Sequence, residues 1–249
     1  VIPIANTPDG FNINHECGST SPGQLQKAVL AAQADLGVAL DGDGDRVVLV
    51  DHRGEVVDGD QMLYIIASSR RASGRLHGGV VGTLMSNLGL EQALAAQQVP
   101  FRRANVGDRY VMAMLQQEGW EVGGETSGHL LCLDKSTTGD GIVAALEVLA
   151  VVRQTGKSLA ELKAGMQIFP QTMINVRMSK RFDLKASAPV QKALGDVEKE
   201  LAANGRVVLR ASGTEPVVRV MIEGRDPTLV ARLGQQLADT VKRAAEEAA

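Results

Sequence analysis

Aromatic side chains are scarce in this sequence and make up only 3% of its 249 residues. The hydrophobic cores must therefore consist of Val, Leu, Ile, Met and Ala, and a hydrophobic share of 44% is sufficient for that. Cysteine is nearly absent, since Cys17 and Cys132 lie far apart and form no CxxC pair. This spacing argues against a disulfide framework and a thiolate zinc site, and it makes a reducing cytosol the expected location.

Excess positive charge and long apolar runs are also lacking. The formal net charge is -3, which argues against a nucleic-acid partner because phosphate-backbone binding needs a surplus of Lys and Arg. No apolar run approaches the roughly 20 residues that span a bilayer, so no membrane partner is expected. The sequence starts VIPIANTPDG, without an initiating Met or a charged leader. We therefore expect no signal peptide and a start inside a longer protein.

The hydrophobic periodicity predicts three blocks. Residues 1–54 should form, in order, a strand, a loop, a helix, a strand, a tight loop and a strand. The helix is predicted to begin with Ser21 as its N-cap and Pro22 at its first position. Apolar stretches at residues 36–40 and 47–50 are the two strands that enclose the tight loop.

Residues 55–168 alternate predicted helices and strands, which is typical of an α/β domain with a largely parallel sheet. The almost wholly apolar run 142–152 is predicted to be a buried helix. Residues 172–249 have the order strand, helix, two strands and helix, which indicates a separate α+β domain. Residues 169–171 are the expected hinge between these two parts.

The strongest functional signal is the six-residue string DGDGDR between two predicted strands. Its glycines allow a tight turn that brings the carboxylates of Asp41, Asp43 and Asp45 together. Like charges at that range repel strongly, and a hard divalent cation such as Mg²⁺ relieves the repulsion. Arg46 follows and offers a forked donor for a phosphate beside the metal.

Three other interpretations of this string fit it less well. A plain acidic turn is common for a single DG pair but does not account for three carboxylates in alternation. An EF-hand loop needs a Glu at its twelfth position and flanking helices, whereas strands flank this loop. A haloacid-dehalogenase site needs Thr or Val where this sequence has Asp45.

A second signal is the loop GGETSGH at residues 123–129. Two glycine pivots flank hydrogen-bonding side chains that suit vicinal sugar hydroxyls, with Glu125 and Ser127 as the leading candidates and His129 beside them. A simple polar turn remains an equal alternative for this loop taken alone.

A third signal is the loop RASGTEP at residues 210–216, with an arginine on the strand that follows. Such a loop exposes backbone N–H groups and hydroxyls between two guanidinium groups, which suits a phosphate dianion. The alternative is an ordinary hairpin with surface arginines. The candidate phosphate ligands are Arg210, Ser212, Gly213, Thr214 and Arg219.

The three loops in this order resemble those of the α-D-phosphohexomutase superfamily and, within it, of the phosphoglucosamine mutases. The stretches VDGDQMLYIIA, GGVVGTLMSNLGLE, NVGDRYV and LDKSTTGDGIVAALEVLA extend the resemblance over essentially the whole chain. The resemblance implies mixed α/β domains followed by an α+β C-terminal domain. The blocks would be a partial metal-binding domain (1–54), a sugar-binding α/β domain (55–168) and a phosphate-binding α+β domain (172–249).

The resemblance also implies a reaction. A phosphoserine would donate its phosphoryl group to glucosamine 6-phosphate, and the 1,6-bisphosphate would reorient and return the other group to give glucosamine 1-phosphate for UDP-N-acetylglucosamine and cell-wall synthesis. Asp41, Asp43 and Asp45 would hold Mg²⁺, and Arg46 would contact the phosphoserine. Asp108 and Arg109 would line the substrate cleft beside the sugar and phosphate residues named above. A homodimer is an open option, because the superfamily includes dimers.

One departure from the family pattern is the absence of a serine motif resembling TASHNP. The implied partner is therefore a missing N-terminal domain of the same protein, and the chain alone is expected to be inactive. An unpaired sheet edge is expected where that domain is missing. A smaller departure is Thr126, at a position where the family varies.

Alternative functions remain open at this point. A phosphomannomutase or phosphoglucomutase shares all three loops, so the loops do not settle the sugar. A non-catalytic sugar-phosphate binder is a second alternative, although a pure binder has no need of a metal beside an arginine. A stand-alone metal phosphatase fits least, because no Asp nucleophile pattern is present.

Overall fold

The computed structural model describes residues 1–178, 183–212 and 216–247. Its chain forms two compact units, Val1–Gln167 and Ile168–Ala249. The finer division of the first unit at residue 54 stays a prediction. Among the described residues, no helix is both long and apolar enough to cross a membrane.

The first unit begins with a small antiparallel sheet. Helix α1 (Gly23–Ala32) precedes strands β1 (Leu36–Leu40), β2 (Val47–Asp51) and β3 (Val56–Val57), in the sheet order β1-β2-β3. The predicted strand ahead of α1 is wrong, since residues 1–22 contain none. This segment is almost entirely exposed and carries three prolines, which donate no backbone hydrogen bond.

Two details of this sheet bear on the sequence analysis. Helix α1 begins at Gly23, with Pro22 in the N-cap position and no side-chain cap, so Ser21 does not cap it. Strand β1 pairs with β2 on one side and, within the described residues, with no strand on the other. The exposed side chain of Val38 lies on this edge strand.

The rest of the first unit is an α/β arrangement around a second sheet. The sheet order is β5-β4-β6-β7; β5, β4 and β6 are parallel and β7 is antiparallel. The largely parallel sheet predicted from the alternating pattern is confirmed. Its elements are α2 (Gly59–Ala72), β4 (Val80–Thr83), α3 (Leu88–Ala96), β5 (Phe101–Ala104), α4 (Asp108–Glu118), β6 (Val122–Gly124), β7 (Leu130–Cys132), α5 (Gly141–Thr155) and α6 (Leu159–Lys163).

Helix α5 is less buried than its composition predicts. Ala144, Ala145 and Val148 pack into the main core, whereas Ile142 and Leu146 are 58% and 57% exposed. The prediction of a wholly buried helix is therefore wrong for one face. Composition cannot distinguish the two faces here, because both carry apolar residues.

The second unit is an α+β domain, as predicted. Strands β8 (Gln171–Arg177), β9 (Gly205–Ala211) and β10 (Val217–Gly224) form an antiparallel sheet in the order β8-β10-β9. Helices α7 (Ala188–Leu201) and α8 (Pro227–Glu247) bury their apolar faces against it, and a 3₁₀ turn (Ala202–Asn204) follows α7. Phe169, in the expected hinge, is buried and lies under the Arg225 guanidinium, 5.7 Å from its ring.

A buried ion-pair network ties three segments of the first unit together. The Arg70 guanidinium of α2 lies 2.9 Å from the Asp134 carboxylate, which follows β7, and 2.7 Å from the Glu147 carboxylate of α5. The Arg70 side chain is only 7% exposed. Removing it would leave two partly buried carboxylates without their shared partner.

We predict that Arg70→Ala lowers the free energy of unfolding by about 3 kcal/mol, because it leaves the carboxylates of a buried ion pair without their partner. Urea denaturation monitored by circular dichroism measures this change. Arg71→Ala is the control, since Arg71 is the exposed neighbour on the same helix and should change stability by less than about 0.5 kcal/mol. Equal effects of the two substitutions would contradict the role given to the network.

Candidate functional site

In the first unit, the predicted site residues lie in or beside loops that begin where a strand ends. Strands β4, β5 and β6 are parallel, so their carboxyl ends meet at one edge of the sheet. The loops that leave this edge contain residues 84–87, 105–107 and 125–129. In the sheet order, β5 lies on one side of β4 and β6 lies on the other. The chain passes from β4 to β5 and then crosses over to β6, so this edge contains a topological switch point, where open α/β sheets bind ligands.

The acidic loop forms the turn between β1 and β2. Carboxylate oxygens of Asp41, Asp43 and Asp45 all lie within 4.8 Å of one another, and this is the one group of its kind among the described residues. Gly44 has a φ of 75° and its N–H donates to the Asp41 carbonyl, which closes the turn. The three carboxylates that the sequence predicted to converge are therefore adjacent.

The charge of this cluster is only partly balanced by protein groups. The Arg46 Nε lies 2.7 Å from Asp41 Oδ2, and the Arg46 backbone N–H donates to Asp41 Oδ1. Burial raises the pKa of the Asp41 carboxyl, but the Arg46 N–H and charge, together with hydrogen bonds to Asp45 and Asp43, bring the net pKa below its ordinary value. Asp41 is thus ionised at neutral pH.

One buried oxygen of the cluster, Asp45 Oδ1, has no hydrogen bond within the described part of the chain and lies 3.6 Å from the Arg46 Nε. The other buried oxygen, Asp41 Oδ2, contacts Arg46 as an ion pair. One arginine therefore faces three carboxylates, and such a set of oxygens fits a hard divalent cation. The predicted contact between Arg46 and a phosphate stays a prediction, since its guanidinium lies against the carboxylates here.

His129 connects the acidic loop to the predicted sugar loop (residues 125–129). Its Nδ1 lies 3.0 Å from Asp45 Oδ2, and its side chain is buried. The ring packs so closely on Gly139 that a side chain at that position would overlap it. The structure therefore places His129 beside a candidate metal ligand, and the predicted contact of His129 with a sugar stays a prediction.

Glu125 connects the sugar loop to the loop after β5. Its Oε1 accepts a hydrogen bond from the Gly107 N–H at 3.0 Å, directly before Asp108 and Arg109 begin α4. The Arg109 guanidinium stacks on Tyr110, 4.6 Å from the ring, and is exposed. The sequence-predicted residues of these two loops are thus neighbours, and Ser127 of the sugar loop is exposed.

The sugar loop is held by backbone contacts as well. The Val47 N–H donates to the Gly128 carbonyl, and Gly128 has a φ of 95°, which favours glycine. A side chain at this position would also overlap the Val47 carbonyl oxygen. Gly128 is therefore required where strand β2 and the sugar loop touch.

The sequence analysis missed two residues that hold loops at this edge: Asp60 holds the sugar loop, and Arg103 holds the loop after β4. Asp60 Oδ2 accepts hydrogen bonds from the Thr126 hydroxyl and from the Asn87 N–H, both at 2.8 Å. Arg103 donates to the carbonyl oxygens of Thr83, at the end of β4, and of Ser86, in the loop that follows. The run VDGDQ before an apolar helix was the available signal for Asp60, but it marks a helix start and not a buried acid.

The predicted phosphate residues lie in the second unit. Arg210 of β9 and Arg219 of β10 are directly opposite each other, and the buried Arg210 Nε has no hydrogen bond to any described residue. Burial and, next, the Arg219 charge lower the pKa of the Arg210 guanidinium. Like charges that face each other across strands are destabilising without an anion between them. Ser212 follows β9, and Gly213 and Thr214 lie outside the described residues.

Family comparisons agree with this arrangement. The model of the phosphoglucomutase/phosphomannomutase alpha/beta/alpha domain III matches residues 58–169, and that of the C-terminal domain of the same family matches residues 173–240. The chain therefore belongs to the phosphoglucomutase/phosphomannomutase family.

Similar curated proteins are named phosphoglucosamine mutase. That of Methylococcus capsulatus is 57% identical over 244 residues, which are 98% of this chain and 55% of that protein. That of Legionella pneumophila is 55% identical over 243 residues, which are 98% of this chain and 53% of that protein. The chain thus spans about half the length of the curated relatives it matches.

Solved structures confirm the phosphohexomutase-type fold. The Aspergillus fumigatus N-acetylphosphoglucosamine mutase in complex with GlcNAc-6P and magnesium has a TM-score of 0.75 at 22% identity, covering 92% of this chain and 57% of that chain. A phosphoglucomutase/phosphomannomutase family protein from Burkholderia thailandensis has a TM-score of 0.72 at 21% identity, covering 91% and 51%. At these identities the likeness concerns the fold alone.

We predict that Mg²⁺ stabilises the first unit through the acidic loop and that Asp43→Asn weakens this effect. Ligand at a hundredfold excess over its Kd adds about 2.7 kcal/mol of stability, and each tenfold loss of affinity removes about 1.4 kcal/mol of it. Thermal unfolding with and without Mg²⁺ measures both quantities. Asp35→Asn, an exposed change at the other end of β1, is the control and should keep the full Mg²⁺ effect.

We also predict that Gly128→Ala destabilises the protein more than Gly119→Ala. Both glycines have positive φ values, of 95° and 67°, so both alanines carry backbone strain of about 1 kcal/mol. Only position 128 adds a clash, because nothing lies within 4 Å of a Cβ at position 119. Urea denaturation of the two variants separates strain from clash, and equal losses would show that the contact with Val47 is unimportant.

Proposed function

We propose that the complete protein containing this chain is a phosphoglucosamine mutase of the cytosol. It would interconvert glucosamine 6-phosphate and glucosamine 1-phosphate through a phosphoserine and a 1,6-bisphosphate intermediate. The observation that carries the proposal is the contact of His129 with Asp45, which brings the acidic loop and the sugar loop together in one unit. The names of the relatives above support the choice of an amino sugar.

The acidic loop would hold Mg²⁺ through Asp41, Asp43 and Asp45. When bound, the ion neutralises negative charge on the transferring phosphoryl group, which is the main requirement of this type of reaction. His129 fixes Asp45 for this task by the 3.0 Å contact to its Oδ2. Arg46 is held beside the carboxylates by Asp41 and can contact the phosphoserine from there.

The sugar loop would orient the substrate. Glu125 has one oxygen bound to the Gly107 N–H, so its position is set while its other oxygen is available for sugar hydroxyls. Ser127 is exposed next to it and can donate or accept a further hydrogen bond. Asp108 and Arg109 begin the adjacent helix α4, where a helix N-terminus favours negatively charged ligand groups.

The second unit would bind the phosphate that is not being transferred. Arg210 and Arg219 form a cationic pair across β9 and β10, and the Arg210 Nε has no hydrogen bond to a described residue. A phosphate dianion between them would remove their mutual repulsion and satisfy this nitrogen. Ser212, Gly213 and Thr214 are the proposed neutral donors of the same site.

The phosphoryl donor is the missing part of this proposal. No serine of the sequence stands in a motif resembling TASHNP, so the donor would come from an N-terminal domain of the complete protein. We therefore expect the 249-residue chain by itself to bind sugar phosphates without interconverting them. Measured turnover by this chain alone would refute this part of the proposal.

The decisive assay follows both sugar phosphates in the complete encoded protein, with glucosamine, mannose and glucose substrates compared. We expect glucosamine 6-phosphate to have the highest kcat/KM and Glu125→Gln to lower it about 100-fold, a loss of about 2.7 kcal/mol. Gln retains the acceptor for Gly107 and loses the charge. Glu118→Gln, at the exposed far end of α4, is the control, and a preference for mannose or glucose phosphate would overturn the substrate assignment.

A further inference from the structure

Asp60 joins three segments of the first unit through one oxygen atom. It is the second residue of helix α2, and its Oδ2 accepts from the Asn87 N–H and the Thr126 hydroxyl. Asn87 caps helix α3 after the loop that leaves β4, and Thr126 lies in the sugar loop. A single carboxylate therefore connects α2 to two of the loops at the switch point.

This position is unusual for a carboxylate. Acidic residues in the first turn of a helix normally stay in solvent, where they favour the positive end of the helix dipole. Asp60 is instead fully buried, and its Oδ1 has no hydrogen-bond partner among the described residues. A buried charge of this kind is costly, and such cost is typical of functional sites rather than of plain scaffolding.

The sugar loop is docked closely on this helix start. The Gly59 N–H donates to the Thr126 carbonyl at 3.0 Å, next to the hydrogen bond between the Thr126 hydroxyl and Asp60. A side chain at position 59 would overlap the Glu125 carbonyl oxygen. The backbone of Glu125 and Thr126 is thus fixed by the first turn of α2.

The loop after β4, which contacts Asp60 through Asn87, is itself held in place by other contacts. Arg103 donates to the carbonyl oxygens of Thr83 and Ser86 and is itself paired with Glu91 at 2.8 Å. Asn87 follows directly and donates its N–H to Asp60. The carboxylate therefore ties the sugar loop to a segment that does not depend on ligand for its position.

We propose that Asp60 is a positioning residue of the mutase, which docks the sugar loop on α2 and thereby sets where Glu125 and Ser127 meet the sugar hydroxyls. This inference rests on the proposed function for its enzymatic consequence, and on the geometry alone for the docking. Thr126 is the partner through which Asp60 acts.

The ionisation of Asp60 is sensitive to pH near neutrality. Burial and, next, the charge of Asp58 raise its pKa to about 7, although hydrogen bonds from the Asn87 N–H, the Thr126 hydroxyl and the Ser86 side chain oppose the rise. The charged groups on α2 and its cap and on the helices that pack against it are Asp58, Arg70, Arg71, Glu91, Glu147, Arg153, Glu161 and Lys163. The neighbouring strand β5 and the sugar loop add Arg103, Glu125 and His129.

Two consequences of this pKa have opposite signs. The ionised carboxylate is the stronger acceptor, so docking of the sugar loop should tighten as pH rises through about 7. The folded protein binds one more proton than the unfolded chain between the ordinary pKa of 3.8 and about 7, so the contribution of Asp60 to stability falls as pH rises through that window. As pH rises, ionisation of Asp60 thus tightens the docking of the sugar loop while the contribution of Asp60 to stability falls.

Asp60→Asn tests the proposal in the complete encoded protein. We expect the KM for glucosamine 6-phosphate to rise about tenfold at pH 8, a change of about 1.4 kcal/mol, with a much smaller effect at pH 6. The substrate phosphate also titrates near pH 6, so the ratio of the two proteins at each pH is the quantity compared. The melting temperature of the variant relative to the parent should rise from pH 5 to pH 8.

Thr126→Val and a matched control complete the design. Thr126→Val should raise KM as Asp60→Asn does, and the double variant should add nothing further. Asp51→Asn removes another fully buried carboxylate, which is paired with Lys163 at 2.8 Å, and should lower the melting temperature without a pH-dependent change in KM. Additive effects at positions 60 and 126, or a KM ratio independent of pH, would overturn the proposal.

Hydrogen exchange separates this inference from the proposed function. The Glu125 and Gly128 amides are hydrogen-bonded within the sugar loop, and we expect Asp60→Asn and Thr126→Val to speed their exchange about tenfold at pH 8. If the protein turns over no hexose phosphate but these amides respond, the mutase assignment fails and the docking stands. Unchanged amide exchange in Thr126→Val would contradict the proposed docking of the sugar loop on α2. This test remains valid even if Asp60→Asn does not fold.

Discussion

The convergence of three carboxylates at the β1–β2 turn is the constraint on which the rest of the first unit depends. Asp41 is buried and held by Arg46, so the cluster cannot disperse into solvent. His129 reaches Asp45 from the sugar loop, and this contact fixes the distance between the two loops. The antiparallel sheet and the α/β sheet share one apolar core, and this polar contact connects them in addition at the carboxylates.

The two units concentrate charge of opposite sign, negative charge in the acidic loop of the first unit and positive charge in the arginine pair of the second. The first unit gathers three carboxylates beside a single arginine, Arg46. The second unit sets Arg210 opposite Arg219 across two strands. Each group has repulsion between like charges, and a ligand of opposite charge would relieve it, a divalent cation in the first unit and a phosphate in the second under the proposed function.

The sequence predicts the local features of this protein well. Strands β1 and β2 lie at the apolar stretches 36–40 and 47–50 that predicted them, and the carboxylates of DGDGDR meet because the short turn between two strands brings them together. Long-range contacts were not predictable. The partners of Asp60 are 27 and 66 residues away, and its position in a first helical turn normally indicates exposure. The exposed face of α5 was missed because its apolar composition is the same on both faces.

A division of tasks among side chains follows from these contacts. The residues that hold the loops are buried, as His129 and Asp60 are, whereas Asp43 and Ser127 at the loop surfaces are exposed. Buried groups lose little further freedom when a ligand arrives, so most of the ordering cost of the site is met during folding. Exposed groups remain free to bind. A site built in this way gains affinity from rigid loops, and it is sensitive to substitutions that never touch the ligand.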